Sequence, residues 1–520
     1  MPELLSAVIV GAGFSGLCAG IELARAGIED FVILEKASGV GGTWRDNSYP
    51  GAACDIPSHL YSYSFEPNPR WSRAYGGQPE ILAYLQHCAN AYGLAPHLRF
   101  GARVERAEYD EASATWTVHV HGGPSFTARA LILGNGALHL PAIPPLPGAD
   151  RFTGKTFHSA RWDHDYALDG KRVAVIGTGA STIQFLPQIA PRVARATVFQ
   201  RTPPWIVAKA DRPISAREQW LFEHVPGAHW LRRTGLYWLL EARVLGFAFS
   251  PRVNRVFERL VRKHLAASVP DRALRDKLTP SYRLGCKRVL ISNDYYPALA
   301  RDNVELVTDP IAAIEPTGIR SAAGTLHEVD AIIYGTGFKV VDYLSSMQIV
   351  GAAGRELNEV WRTQVRSFLG INVSGFPNLF LLMGPNTGLG HNSMIFMIEA
   401  QVRYAVQAIT AMRRNALAAL DVLPAVEATF RAEMSRKLAG TVWTSGCSSW
   451  YMAPDGEVLL WPSFSFDYWR RTRRIDLRNY EVRALAKASP LDAGGPVVRR
   501  NGSADLGDPP RAPALTPSIR

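Results

Sequence analysis

The chain has 520 residues, 47% apolar and 20% charged, a length for two or three domains and the composition of an ordinary globular enzyme rather than a fibrous or disordered chain. Its formal net charge is +11, but the basic residues are dispersed apart from Arg470-Arg471-Thr472-Arg473-Arg474, which reads as a solvated or salt-bridged face and not as a nucleic-acid patch. No apolar run reads as a membrane span: Leu4 to Leu17 is broken by glycines and lacks the basic start of a signal peptide, and Leu236 to Ser250 holds Glu241 and Arg243.

The first predicted element is the strand Val8-Ile9-Val10, running into Gly11-Ala12-Gly13-Phe14-Ser15-Gly16 and a helix. An apolar run, Phe31 to Leu34, then closes on Glu35. In such a βαβ unit Gly11 makes the tight turn and Gly13 admits backbone N–H groups to a pyrophosphate at the helix N-terminus, with Gly16 completing the fingerprint. The acid about 20 residues further on meets ribose hydroxyls, so this unit suits an unphosphorylated ADP-ribose such as that of FAD or NAD. A strand at Ala130 to Leu133 closes the first part of this domain, residues 1–145, and the proline-rich Leu140 to Pro147 crosses to the next.

The second domain opens over residues 150–211 with the same pattern, Val173 to Ile176 followed by Gly177-Thr178-Gly179-Ala180-Ser181-Thr182, and its next strand, Ala196 to Gln200, closes on Arg201. Gly16 to Glu35 and Thr182 to Arg201 are both separations of 19 residues, so the two terminal residues hold equivalent places with opposite charge. Arg201 offers a guanidinium fork for a 2′-phosphate, and this unit therefore suits NADP. Two polyanionic cofactors also account for part of the basic excess. Thr182 stands where a third glycine is usual and is expected to hold helix and strand slightly farther apart.

Residues 212–285 carry tryptophan, leucine and arginine at helical spacing and read as a helical insertion in the second domain. Strand patterns at Val304 to Val307 and Ala331 to Tyr334 complete that domain over residues 286–375. A buried strand at Asn378 to Met383 and a helix near Ser393 to Arg413 return the chain to the first domain over residues 376–484, and residues 485–520 read as a disordered tail. The predicted class is α/β, with two Rossmann-like dinucleotide-binding domains. The cysteines Cys18, Cys54, Cys88, Cys286 and Cys447 are scattered with no C-x-x-C, which points to a reducing cytoplasm and against a metal site or a redox-active disulfide.

Between the cofactor units lies Phe152-Thr153-Gly154-Lys155-Thr156-Phe157-His158-Ser159-Ala160-Arg161-Trp162. It resembles, at every defined position, the F-x-G-x-x-x-H-x-x-x-W fingerprint of type I Baeyer–Villiger monooxygenases, class B flavoproteins that insert one oxygen atom beside a ketone carbonyl. The sister family of flavin-containing monooxygenases, which oxidise nitrogen and sulfur, is similar but usually has tyrosine in place of Trp162. Two more family patterns are matched, one by Gly41-Gly42-Thr43-Trp44, Tyr49-Pro50-Gly51 and Asp55, the other by Lys287-Arg288 ahead of Tyr295-Tyr296.

The resemblance implies bound FAD, NADPH as reductant, and ketone and O₂ as substrates, giving an ester or lactone through a C4a-peroxyflavin. Such a reaction needs a fixed cation in a dry site, and Arg288 suits it because it stays protonated. By resemblance Asp55 holds and polarises Arg288, Thr43 and Trp44 belong to the flavin site, and Lys287 with Arg201 and Thr202 meets the 2′-phosphate. Phe152, Gly154, His158 and Trp162 would couple domain movement, and the loop Trp443 to Tyr451, with Ser448, Ser449 and Trp450, would line the substrate pocket. The helix after Ser393 would point its N-terminus at the flavin ring. The nearest alternative is an N- or S-oxygenating enzyme. A flavin disulfide reductase lacks its cysteine pair here, and a catalytically silent FAD and NADP sensor shares the fold.

Overall fold

The structure is a computed structural model that describes residues 4–485 apart from 341, 343, 448 and 454. The expected tail thus lies outside the described residues from 486 onward, as does Ser448. Six strands come first: β1 (Leu4–Val10), β2 (Phe31–Leu34), β3 (Leu98–Arg99), β4 (Val104–Asp110), β5 (Thr115–Val120) and β6 (Ser125–Leu133). Five follow, β7 (Lys155–His158), β8 (Arg172–Ile176), β9 (Arg195–Phe199), β10 (Val304–Val307) and β11 (Ala331–Tyr334). Two shorter ones are β12 (Gln348–Val350) and β13 (Leu379–Leu381).

The first sheet runs β12-β4-β5-β6-β1-β2-β3, with β13 alongside the second half of β6. Its centre is parallel, β1 lying between β2 and β6, while β4, β5 and β6 form an antiparallel meander. The second sheet, β10-β9-β8-β11-β7, is parallel throughout. The central strands are apolar at Val8-Ile9-Val10 and Val173-Ala174-Val175-Ile176 because both faces are covered. Helices cover one face and further strands the other, β4 and β5 in the first domain and the antiparallel strands with Ile314 and Ile319 in the second. Val10 stands opposite Leu34 and Ile176 opposite Phe199, so each glycine turn, and Glu35 and Arg201 after the neighbouring strands, leaves its sheet at the carboxyl edge.

Helix α1 (Phe14–Arg25) follows β1, and α2 (Thr182–Ile189) follows β8. The expected insertion is helical and comprises α3 (Ala216–His224), α4 (Ala228–Glu241), α5 (Pro251–Ser268) and α6 (Arg272–Leu278), with a single π turn at Leu245–Phe249. It does not belong to the second domain alone. Leu236 and Leu240 of α4 sit in the core of the first domain with Ile395 and Trp461, whereas Leu265 of α5 and Leu278 of α6 join Val173 and Val198 in the second. Burying each leucine contributes about 1.5–3 kcal/mol, so the insertion fastens the domains together. Helices α7 (Met394–Arg414) and α8 (Ser465–Thr472) complete the first domain.

Two expectations are corrected. The chain returns to the first sheet at β12, well before residue 376, and Leu344, Ile349, Leu357 and Trp361 pack in that domain's core. A three-residue edge strand carries too little periodicity to be read from sequence. Second, Cys286 and Cys447 are not free thiols but form a disulfide across 161 residues, Cα to Cα 6.2 Å; Cys18, Cys54 and Cys88 are free and buried. Spacing could not show this pairing, since only tertiary folding sets the two loops side by side. Among the described residues no helix is long and apolar enough to cross a membrane.

Candidate active site

A cavity of about 1480 Å³ lies between the two sheets and receives both glycine turns. At the first turn Gly11 has φ +97°, and a Cβ there would stand 2.8 Å from the Gly134 carbonyl oxygen. A Cβ on Gly16 would meet the Gly11 oxygen at 1.7 Å, so no other residue lets α1 start against the strand ends. Gly13 lines the cavity where α1 begins. Glu35 is buried; its Oε2 accepts the Ala12 N–H at 2.9 Å, and its Oε1 accepts the Ala37 N–H at 2.9 Å with Arg45 Nη1 at 3.3 Å. The carboxylate is thereby fixed at the carboxyl end of β2 and turned toward the cavity. Thr43 and Trp44 form the opposite wall, the Trp44 indole N–H donating to the Tyr61 hydroxyl at 3.0 Å.

The second turn repeats this geometry. Gly177 has φ +101°, and a Cβ there would lie 2.5 Å from the Gly335 oxygen. Thr182 meets the neighbouring strand end at Gly335. Its hydroxyl occupies the space above Gly335, where an added Cβ would stand 2.1 Å away, so a glycine on the neighbouring strand end makes the room. Gly179, Ser181 and Thr202 line the cavity, as do Arg201 and Lys287. Neither cation has a carboxylate partner among the described residues. Burial, and then the adjacent Arg201 charge, hold the Lys287 ammonium below its ordinary value. Two unpaired neighbouring cations repel each other and favour an anion between them.

Deeper in the cavity Asp55 of the first domain meets Arg288 of the second, Oδ2 accepting Nε at 2.9 Å and Nη2 at 2.5 Å. The Asp55 charge holds Arg288 above the ordinary guanidinium range despite burial, so it stays charged throughout the working pH range. The Tyr451 hydroxyl lies beside the guanidinium without completing a hydrogen bond of good geometry. Trp450 also lines the cavity; Ser449 does not, its Oγ accepting the Tyr451 N–H at 3.2 Å inside the loop. The disulfide ties this loop to the segment that carries Lys287 and Arg288.

The fingerprint residues Phe152, Gly154, His158 and Trp162 do not line the cavity. Trp162 packs its ring against Phe157 and against Phe185 of α2, at 5.2 and 5.3 Å between centroids. His158 is buried at the end of β7, its Nδ1 accepting the Ala160 N–H at 3.1 Å. Burial lowers its imidazole to about 4. Phe152 packs on the outer face of the second sheet, and a Cβ on Gly154 would lie 2.4 Å from the Asp330 oxygen. The same segment reaches the first domain through His164, hydrogen-bonded to Ser48 at 2.8 Å, and Arg161, 3.8 Å from Asp46.

Sequence comparison matches residues 8–220 to the pyridine nucleotide-disulphide oxidoreductase family. Over most of its length the chain is similar to two curated Baeyer–Villiger monooxygenases: one from Streptomyces coelicolor, 44% identical with 97% of each chain covered, and one from Pseudomonas aeruginosa, 47% identical with 91% and 90% covered. The chain belongs to the Baeyer–Villiger monooxygenase family. Among solved structures it is similar to OTEMO in complex with FAD and NADP, with a TM-score of 0.85 and 28% identity over 93% of this chain and 100% of that one.

In this Baeyer–Villiger monooxygenase two contributors escape sequence reading. Gln184 of α2 reaches across the domains, its Oε1 accepting the Tyr49 hydroxyl at 2.9 Å and the Ala53 N–H at 3.3 Å, and its Nε2 donating to the Ala53 oxygen at 2.9 Å. Gly51 lies against it, a Cβ there falling 2.7 Å from the Gln184 oxygen. Glu241 of α4 is wholly buried and accepts from Asn392 Nδ2 at 2.6 Å and Ser465 Oγ at 2.8 Å, with His391 Nε2 at 3.4 Å. Burial alone would raise its carboxyl, but these partners outweigh it and hold the value low. They fix the approach to α7, whose N-terminus is capped by Ser393 and whose Met394, Ile395 and Ile398 line the cavity. A lone glutamate in an apolar helix was the visible signal for Glu241; Gln184 gave none.

Proposed function

We propose that the chain is an NADPH- and O₂-dependent monooxygenase that uses FAD to convert ketones to esters or lactones. The observation that carries this reading is the Arg288 and Asp55 pair: a guanidinium held by a carboxylate from the other domain, inside the cavity onto which both dinucleotide turns open.

The residues present fit both cofactors. Gly11 makes the tight turn and Gly13, without a side chain, opens the start of α1 to the FAD pyrophosphate, and Glu35 presents an acceptor for ribose hydroxyls. Gly177, Gly179 and Ser181 do the same for NADPH at α2, and the unpaired Arg201 and Lys287 fit its 2′-phosphate, with Thr202 beside them. Bound reduced FAD supplies the electrons that activate O₂, chemistry no side chain here provides. Arg288 sets a permanent positive charge where negative charge develops on oxygen, and Asp55 fixes its direction through two N–H groups while leaving the others toward the cavity. The α7 N-terminus adds partial positive charge on the same cavity wall. Trp450 and Tyr451 screen the pocket from water.

His158 serves as a coupling residue in this reading, since it lies outside the cavity with burial holding it neutral. Trp162, Phe185, Tyr49 and Gln184 form the contact through which the domains move together. The test is aerobic NADPH consumption by the purified yellow protein with and without added ketone, with the product identified. Ketone-dependent consumption with ester formation supports the reading. Consumption stimulated only by amines or sulfides moves the enzyme to the sister chemistry, and none with any acceptor leaves a binding protein.

A further inference from the structure

Thirteen of the twenty large apolar side chains exposed among the described residues fall between Trp220 and Leu260, all in the helical insertion. A soluble domain rarely leaves so much apolar surface together unless it meets something. On α4 the inner face carries Leu236 and Leu240, yet the outer face is apolar as well, with Trp230, Leu231 and Leu239 each 64% exposed and Trp238 53%. The surface is continuous. Trp238 contacts Phe466 at 5.9 Å between ring centroids, Phe466 contacts Phe464 at 5.1 Å, and Phe464 contacts Phe249 at 5.5 Å. Gly246, in the π turn that carries Phe249, abuts Val253, an added Cβ lying 3.7 Å from its Cγ1. From there Val253, Val256, Phe257 and Leu260 run along the exposed side of α5 at helical spacing.

The charge around this strip decides what covers it. Arg255, Arg259 and Lys263 form an exposed row at i, i+4 and i+8 beside the α5 stripe, and Arg232 stands exposed on α4. Between residues 228 and 263 the only acids are Glu241 and Glu258. Both turn inward, Glu241 into its buried network and Glu258 to the Leu284 N–H at 2.8 Å. The face is thus apolar and aromatic with a basic border and no exposed acid. An antiparallel two-fold pairing across the α5 stripe would set that basic row against its own copy. A bilayer carrying acidic headgroups meets both halves of the pattern: tryptophan rings and leucines enter the headgroup boundary while arginines pair with lipid phosphates.

We infer that the helical insertion docks the enzyme on an anionic lipid surface, with α4, the π turn and the first half of α5 lying in the interface without crossing it. The docked face lies near the cavity wall, since Phe247 of the π turn packs near Trp443 in the loop that carries Trp450. An apolar substrate dissolved in the bilayer would therefore meet the enzyme close to its site.

The full chain with FAD bound is mixed with vesicles of phosphatidylcholine alone or of phosphatidylcholine and phosphatidylglycerol in equal parts, then sedimented. Binding is expected only to the acidic vesicles, weakening with salt, with a blue shift of tryptophan emission. The double variants Trp230→Ser with Leu231→Ser, and Arg255→Glu with Arg259→Glu, lie outside the active site and are each expected to lower partitioning by about tenfold or more while FAD content and turnover of a water-soluble ketone stay unchanged. No partitioning onto acidic vesicles overturns the inference, as does partitioning that neither variant alters. A dimer in sedimentation velocity that Trp230→Ser with Leu231→Ser dissociates also overturns it, assigning the face to a second copy.

Discussion

Replacing Arg201 by alanine isolates the choice between NADPH and NADH. The side chain leaves the carboxyl end of β9, one residue after Gln200, whose N–H is held by the Val307 oxygen at 2.9 Å. Arg201 is exposed and makes no ion pair among the described residues, so its removal leaves the fold intact. What is lost is charge-assisted hydrogen bonding to a phosphate at an exposed site, about 1.5–3 kcal/mol in all. At 1.4 kcal/mol per decade, affinity for NADPH should fall by roughly tenfold to a hundredfold. The lower half of that range is expected, because Lys287 stays in the cavity lining beside it as a second cation. Anaerobic stopped-flow reduction of the flavin over a range of NADPH and NADH concentrations gives both Kd values. The NADH value should barely move, and the variant lacking both Arg201 and Lys287 should approach equal use of the two nucleotides. Equal losses with both nucleotides after Arg201→Ala would refute the assignment, since NADH has no 2′-phosphate to lose.

Arg288→Ala should keep bound FAD and reduction by NADPH yet lose ester formation by about a hundredfold to a thousandfold, and ester production near the parent rate would make the ion pair purely structural. Gly154→Ala forces a Cβ to within 2.4 Å of the Asp330 oxygen, so stability measured by denaturant should fall by about 1–3 kcal/mol; an unchanged midpoint would show the turn to be free to shift. Burial depresses four histidines, His158 and His229 to about 4, His59 to about 3, and His139 in the same direction. The unfolded chain binds these protons first, so their contribution is fully present above the ordinary histidine value of about 6.5 and drains as pH falls from there toward 3. Thermal midpoints should drop over that window and the drop should lessen in His158→Phe, whereas a flat profile would place these rings in water. His158→Ala should slow flavin reduction and NADP release together, and a defect confined to oxygen insertion and repaired by imidazole would make it a proton-transfer residue instead.

Sequence alone determined the two glycine turns, the positions of Glu35 and Arg201 at the ends of the strands that follow, and the parallel strands themselves, because these depend on short-range backbone geometry that only glycine and apolar runs satisfy. It also singled out Asp55, Lys287 and Arg288, through patterned motifs, but not that Asp55 and Arg288 touch across 233 residues of chain. Tertiary structure decided that contact, the Gln184 bridge, the disulfide between Cys286 and Cys447, and the return to the first sheet at β12. Each joins segments far apart in the chain, and no local periodicity encodes which distant surface a side chain will meet. Thr182 shows the boundary within one residue: its departure from the fingerprint was legible, but its consequence depended on Gly335, a neighbour supplied only by folding.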